Sequence, residues 1–238
     1  MPFPLRALAP EEWQAVRLTL AVALRAVGCG LPLAIVVAWV LARKRFPGHA
    51  VLNAVVHLPL VLPPVVTGWL LLVVFGVRGP VGSLLLEWFG IRLVFTTTAA
   101  ALACGVMVFP VMVRAIRLSL EAGDPGLEEA ARTLGAGPLD RLFTVTLPLA
   151  SPGILVGAIV AYATSLGEFG AVITFAANIP GQTQTLPLAI YAALQVPGGE
   201  EQAAMLSLVS LALALVGLLA SEWASRRLDR LLGRGTAR

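Results

Sequence analysis

The sequence predicts an all-α integral membrane protein, a polytopic helical bundle of about five spans, and three observations carry that prediction. Of its 238 residues, 58% are hydrophobic and only 13% charged, with a mean hydropathy of +0.88; soluble domains average about 25% charged and 45–50% apolar residues. The apolar residues gather into runs long enough for a hydrocarbon core of about 30 Å, which takes roughly 20 helical residues. The Lys and Arg residues stand at the ends of those runs rather than on one polar face. That placement belongs to a membrane protein and argues against a nucleic-acid partner, despite the net charge of +4.

Five runs satisfy the length condition: Leu18–Ala42, Val51–Val77, Phe95–Ile116, Ile154–Phe175 and Ala203–Trp223. The amphipathic stretch Pro10–Arg17 precedes the first. A further apolar run, Leu186–Val196, is too short to span and fits a re-entrant or interfacial helix; a sixth crossing would need one of these two to cross. The N-terminal Met-Pro-Phe-Pro-Leu-Arg lacks a basic region followed by a small-residue cleavage site, so the first span is expected to act as an uncleaved anchor. Cys29 and Cys104 fall inside apolar runs and are read as small buried residues. Trp13, Trp69, Trp88 and Trp223 fall near span ends, as interfacial anchors do.

Direction follows from the basic residues. One set of loops carries Arg43, Lys44, Arg45, Arg114, Arg117, Arg132, Arg141, Arg226, Arg227, Arg230, Arg234 and Arg238; the other carries Arg6, Arg17, Arg25, Arg78 and Arg92. Twelve against five puts the loop after the first span, the loop around Glu129 and the C-terminus in the cytoplasm, with the N-terminus outside. Arg25 is expected to reach the outer headgroups.

Several spans contain proline: Pro32 in the first, Pro59, Pro63 and Pro64 in the second, Pro110 in the third. Proline removes an amide donor and clashes with the preceding turn, so these helices are expected to kink. The freed carbonyls need neighbours or a wet cavity. The stretch Leu62–Gly68 is therefore a candidate for the wall of a translocation path.

The loop between the third and fourth runs has its own pattern. Leu127, Ala130, Ala131 and Leu134 recur at helical spacing. Asp124 is placed to cap, Pro125 suits the first helical position, and Glu128 and Glu129 favour the positive end. Gly135 and Gly137 supply the stop, and Pro138 opens a second short helix running through Asp140 to Thr146. The centre of the face is small, so a partner can approach closely, while Glu128, Glu129 and Arg132 can pair with charges at its rim.

Glu129-Ala130-Ala131, three residues, Gly135, nine residues, then Val145-Thr146-Leu147-Pro148 resembles the EAA loop of ABC-importer permeases. A further set of segments resembles the permeases for molybdate, tungstate and sulfate, nearest to the molybdate permease subunit: His57–Gly68, Met112–Arg117, Tyr162–Ala171 and Asn178–Pro187. The resemblance runs from about Glu11 to Arg226. Where that family commonly has Gly-Glu-Thr, this chain has Gly181-Gln182-Thr183, one negative charge fewer.

The resemblance implies one permease domain over residues 1–238, with a coupling loop at about 124–148, in a prokaryotic cytoplasmic membrane. It implies a homodimer, a pair of cytoplasmic ATPase subunits docked on Leu127, Glu128, Glu129, Ala130, Ala131, Arg132, Leu134, Gly135, Leu147 and Pro148, and an extracytoplasmic oxyanion-binding protein. Transport would be by alternating access. The chain has no Gly-x4-Gly-Lys-Ser/Thr phosphate loop, so ATP and Mg are expected to be used by the partner, with no cofactor bound here.

A tetrahedral divalent anion needs a permissive path of hydroxyl and amide donors. Candidates for the path or gate are Pro63, Pro64, Thr67, Thr164, Ser165, Glu168 and Asn178. Glu168 is expected in the fourth span near its outer end; a carboxylate repels an oxyanion, so pairing with an Arg or with backbone amides fits it better than a ligand role. No metal site is expected. His57 has no second His, Cys or carboxylate at ligand spacing and reads as a hydrogen-bonded bundle residue. Three alternatives stay open: a sulfate or thiosulfate permease, an ion-coupled secondary transporter using Glu168, and an intramembrane enzyme, for which no catalytic constellation is visible.

Overall fold

The computed structural model describes residues 7–231; Arg6, Arg234 and Arg238 of the charge count lie outside them. Among the described residues every regular element is helical. In chain order they are α1 (Pro10–Arg43), α2 (His49–Val61), α3 (Pro64–Phe75), α4 (Pro80–Phe89), α5 (Thr97–Ala122), α6 (Pro125–Thr133) and α7 (Pro138–Arg141). A π-turn over Leu142–Thr146 leads into α8 (Leu147–Leu166), followed by α9 (Gly170–Ala176), α10 (Leu186–Leu194) and α11 (Glu200–Leu231).

Among the described residues, four segments are long and apolar enough to cross a membrane: α1, α5, Pro138–Leu166 and Glu200–Ala220. The second expected span is not one helix. It is the pair α2 and α3, bent by 118° at Leu62-Pro63. Pro63 (φ −54°, ψ 136°) and Leu62 (ψ 142°) are extended, because a proline pushes the residue before it out of the helical region and two follow in succession here. Single prolines do less: α1 stays continuous through Pro32 and α5 through Pro110.

The fourth expected span also departs from the sequence reading. The helix begins at Pro138 rather than Ile154, and α8 ends at Leu166; Gly167–Phe169 then breaks the chain before α9. Proline 148 cannot donate to the carbonyl four residues back, and the wider π-turn just before it absorbs the mismatch. The stretch Pro10–Arg17 is the continuous beginning of α1, with Pro10 at the first position and Glu12 Oε2 accepting from the Ala9 amide at 2.7 Å. The short run 186–196 forms the nine-residue α10, about 14 Å long and no span by itself.

Lipid tails are as apolar as leucine, so membrane helices associate through close packing of small residues. α5 is the centre of such packing. Its residues meet α1 in parallel, with Gly105 beside Ala26 and Gly30 beside Met112, and α8 in antiparallel sense. A Cβ on Gly153 would lie 2.5 Å from the Ala115 carbonyl oxygen, and one on Gly157 3.1 Å from the Ala115 Cβ. Ala26, Ala34, Ala38, Cys104, Met112, Ile116 and Ala161 are buried along these seams. Cys104 is enclosed as expected, but Cys29 is exposed, in a groove between α1, α2 and α5, and not buried. Arg25 is exposed too and stands 18 residues from Arg43, about 27 Å along the axis, close to the thickness of a hydrocarbon core.

Gly153→Val should destabilise the fold by about 1–3 kcal/mol, the usual range for overpacking, and Gly157→Leu likewise. Gly28→Leu, at a position with open space around it, should leave stability nearly unchanged. Thermal unfolding of the purified variants in detergent checks this; equal melting of Gly153→Val and the parent would overturn the close-seam account.

Candidate functional site: the α5–α8 loop and the α3–α9 cradle

The loop is built from its caps inward. Asp124 Oδ1 accepts the Gly126 amide at 2.8 Å and opens α6 with Pro125 in its first turn. Thr133 donates to the Ala130 carbonyl at 2.8 Å, and Gly135 turns the chain at φ +89°, a left-handed conformation that glycine adopts without steric cost. Pro138 then starts α7. These features follow the sequence reading closely.

The electrostatics differ from it at one residue. Glu128 points into its own bundle: its Oε1 forms an ion pair with Arg43 Nη2 at 3.2 Å and accepts from Thr146 Oγ1 at 3.1 Å. One carboxylate oxygen thus joins the end of α1, the middle of α6 and the start of α8. Glu129 and Arg132 remain exposed. Ser119 Oγ donates to the Leu149 carbonyl at 3.2 Å, which ties the two ends of the loop together beneath it.

What the loop presents outward is apolar. Leu134 is 88% exposed, Leu139 71% and Phe143 65%, with Leu127 and Ala130 beside them and Ala131 half-buried. Pro148 is exposed and Leu147 half-buried at the start of α8. Leu139 and Phe143, four residues apart on the second helical stretch, line the cleft between that stretch and the end of α1. Sequence reading missed them, although their i, i+4 spacing was there to be seen, and it missed Arg43 and Thr146 as the partners of Glu128.

The path candidates gather elsewhere, where α3 packs on α9. A Cβ on Gly68 would lie 2.7 Å from the Ala171 carbonyl oxygen, and one on Gly170 2.8 Å from Pro64 Cβ. Phe75 and Phe175 meet edge to face, 6.3 Å between centroids. Thr67 is buried in this cradle and its Oγ1 has no hydrogen-bond partner among the described residues. Glu168 lies in the break between α8 and α9, not inside a span, and its Oε1 accepts the Ala171 amide at 3.0 Å. It acts as a cap on α9.

Ser165 is buried and donates to the Ala161 carbonyl, while Thr164 is exposed and donates to Val160, each at 2.8 Å. Asn178 follows α9, its Oδ1 shielded and without a hydrogen-bond partner among the described residues. The segment after α9 is pinned by Thr183, fully buried, which donates to the Ala177 carbonyl and accepts the Ile179 amide. That clamp holds Ala177 at φ +62°, which is strained for a residue with a Cβ. Thr19 on α1 accepts the Leu186 amide at 2.7 Å. Pro63, Pro64, Thr67, Glu168 and Asn178 thus belong to one end of the bundle and the α5–α8 loop to the other. His57 Nδ1 lies 2.8 Å from the Asn53 carbonyl, a bond within its own helix, and no group of three metal-ligating side chains occurs among the described residues.

A broken-helix bundle with an exposed apolar loop at one end defines a polytopic membrane protein of the transporter-permease class. The family described as "Binding-protein-dependent transport system inner membrane component" matches residues 30–230, and the chain belongs to it; it is a permease subunit of the ABC-transporter type. It is 58% identical over 219 residues to the molybdenum transport system permease protein ModB of Escherichia coli (strain K12), covering 92% of this chain and 96% of that one. It is 53% identical over 224 residues to the ModB of Haemophilus influenzae, covering 94% and 98%. The sulfate transport system permease protein CysW of Synechocystis is 36% identical over 228 residues, covering 95% and 81%. The fold also matches that of a bacterial ABC transporter involved in the import of the acidic polysaccharide alginate, with TM-score 0.73, 19% identity and coverage of 92% and 80%.

Arg43→Gln should loosen the joint at Glu128. A partly buried ion pair of this kind is worth about 1 kcal/mol, roughly a fivefold change in the local opening equilibrium. Amide hydrogen exchange across residues 125–146 should accelerate by about that factor with α5 unchanged; unaltered protection would show that the pair does not hold the loop.

Proposed function

We propose that this chain is the transmembrane subunit of an ATP-driven importer for molybdate or tungstate, in a prokaryotic cytoplasmic membrane. The single observation that carries the motor half of this reading is the exposed apolar face Leu127–Ala130–Leu134, in a loop braced from behind by Glu128. A face so apolar, pointing away from its own bundle, calls for a protein partner. The basic residues put that loop in the cytoplasm, where a pair of ATPase subunits would bind and hydrolyse ATP with Mg; the C-terminus lies on the same side and the N-terminus outside.

Two copies of this chain would enclose the path. Closure of the ATPases would bring the two α6 helices together and open the dimer outward, and release of ADP would let it relax inward. A binding protein outside would deliver the anion. The substrate class rests on the identity to the two ModB proteins over nearly their full length, which exceeds that to CysW. The second reading is therefore a sulfate permease. A proton relay through Glu168 has less behind it, since that carboxylate is engaged in capping α9.

For the path, Pro63 and Pro64 shape the wall and Thr67 offers a hydroxyl without a partner. Thr164, Ser165 and Asn178 would lie along the same route. Thr67→Val, nearly isosteric, should reduce uptake several-fold while leaving the binding protein's affinity untouched.

The direct test is ATP hydrolysis in liposomes by this subunit with its ATPase, with and without binding protein loaded with molybdate, tungstate or sulfate. Stimulation by the first two and not by sulfate is expected. Stimulation by sulfate alone would replace the substrate, and no stimulation in an assembled complex would sink the reading. In the same assay Glu129→Lys and Gly135→Leu should uncouple hydrolysis from uptake without displacing the protein from the membrane. Normal uptake by both would remove the docking assignment.

A further inference from the structure

Between the last turns of α1 and the segment Pro138–Leu147 lies a cleft of about 900 Å³. Its lining is ordered by polarity. Along α1 come Pro32, Ile35, Val36 and Trp39, then Arg43 and Lys44, so an apolar wall passes into a cationic mouth over 12 residues, about 18 Å. Arg141 faces the same cleft from α7.

Three cations therefore share the cleft with one carboxylate, Glu128, which already pairs with Arg43 and accepts from Thr146. The Nε atoms of Arg43 and Arg141 are shielded from solvent and have no hydrogen-bond partner among the described residues. Lys44 Nζ stands 5.2 Å from the centroid of Trp39, at the boundary between the two zones.

We propose that this cleft binds one anionic phospholipid, its phosphate among Arg43, Lys44 and Arg141 and an acyl chain along Ile35, Val36 and Trp39. The excess positive charge of Arg43, Lys44 and Arg141 over the single Glu128 calls for an anion with several acceptor oxygens. The apolar wall calls for an amphiphile, since a free oxyanion would leave it bare. A zwitterionic lipid would bring its own cation to a mouth that already has three. A bound lipid would bridge α1 and α7 and so brace the loop from the membrane side. The proposal rests on the membrane-spanning fold and on neither the substrate nor the motor.

The full chain in nanodiscs carries the test, with tryptophan fluorescence quenched by brominated phosphatidylglycerol or brominated phosphatidylcholine, and Trp39→Phe identifying the local signal. The Trp39 component should be quenched preferentially by the anionic lipid. Each basic residue near an anionic headgroup is worth about a factor of five, so Lys44→Gln with Arg141→Gln should abolish the preference, while Lys44→Arg with Arg141→Lys should keep it and show that the fold survives. Equal quenching of the parent by the two lipids would overturn the proposal. So would loss of the signal on adding molybdate or inorganic phosphate against a chloride control of equal ionic strength, which would make the cleft a free-oxyanion site. Loss of the signal when the ATPase subunit is added would give the surface to that partner and overturn it equally.

Discussion

Everything in this fold depends on how close α5 can come to its neighbours. In water, burying leucine and valine would suffice to bring helices together; in lipid that force is absent, and contact between backbones has to supply the attraction. Gly153, Gly157 and Ala161 on α8, and Ala26, Gly30, Ala34 and Ala38 on α1, are the residues that permit it. Because these contacts reach down to Ser119 and Leu149, the two strands of chain that enter and leave the α5–α8 loop are fixed side by side. The loop keeps a defined shape although Leu134 on it is 88% exposed.

The opposite end solves a different problem. There the chain leaves helical geometry at Leu62-Pro63, at Gly167–Phe169 and again between α9 and α10, and the amides freed there need partners. Side chains take up the slack: Glu168 for the Ala171 amide, Thr183 for the Ile179 amide, Thr19 for the Leu186 amide. Broken helices next to a small-residue contact at Gly68 and Gly170 are the ingredients of a region whose shape depends on a few bonds.

Much of this was legible in the residues. Long apolar runs marked the crossings, and Asp124, Pro125, Gly135 and Pro138 marked the loop's two helices, because caps, prolines and glycines act locally and leave a local signature. The misses came from non-local causes. The 118° bend needs two consecutive prolines and also an α9 for α3 to pack against, and only the second is invisible in a hydropathy run. The break at Gly167 was hidden by apolar residues on both sides of it. Glu128 reads as a rim charge until Arg43, 85 positions away, is found beside it. Cys29 was expected inside because apolar runs do not show which face of a helix meets neighbours.

α1 is pinned at two points far apart. Thr19 holds the amide of Leu186, and Arg43 holds Glu128, 24 residues further on, or about 36 Å of uninterrupted helix. Between them Gly30 rests against Met112. The two anchors lie about 16 Å and 20 Å from that contact, with the buried Ala26 on one side of it and Ala34 and Ala38 on the other, so a single continuous helix carries contact from the α5–α8 loop to the Thr183–Leu186 segment.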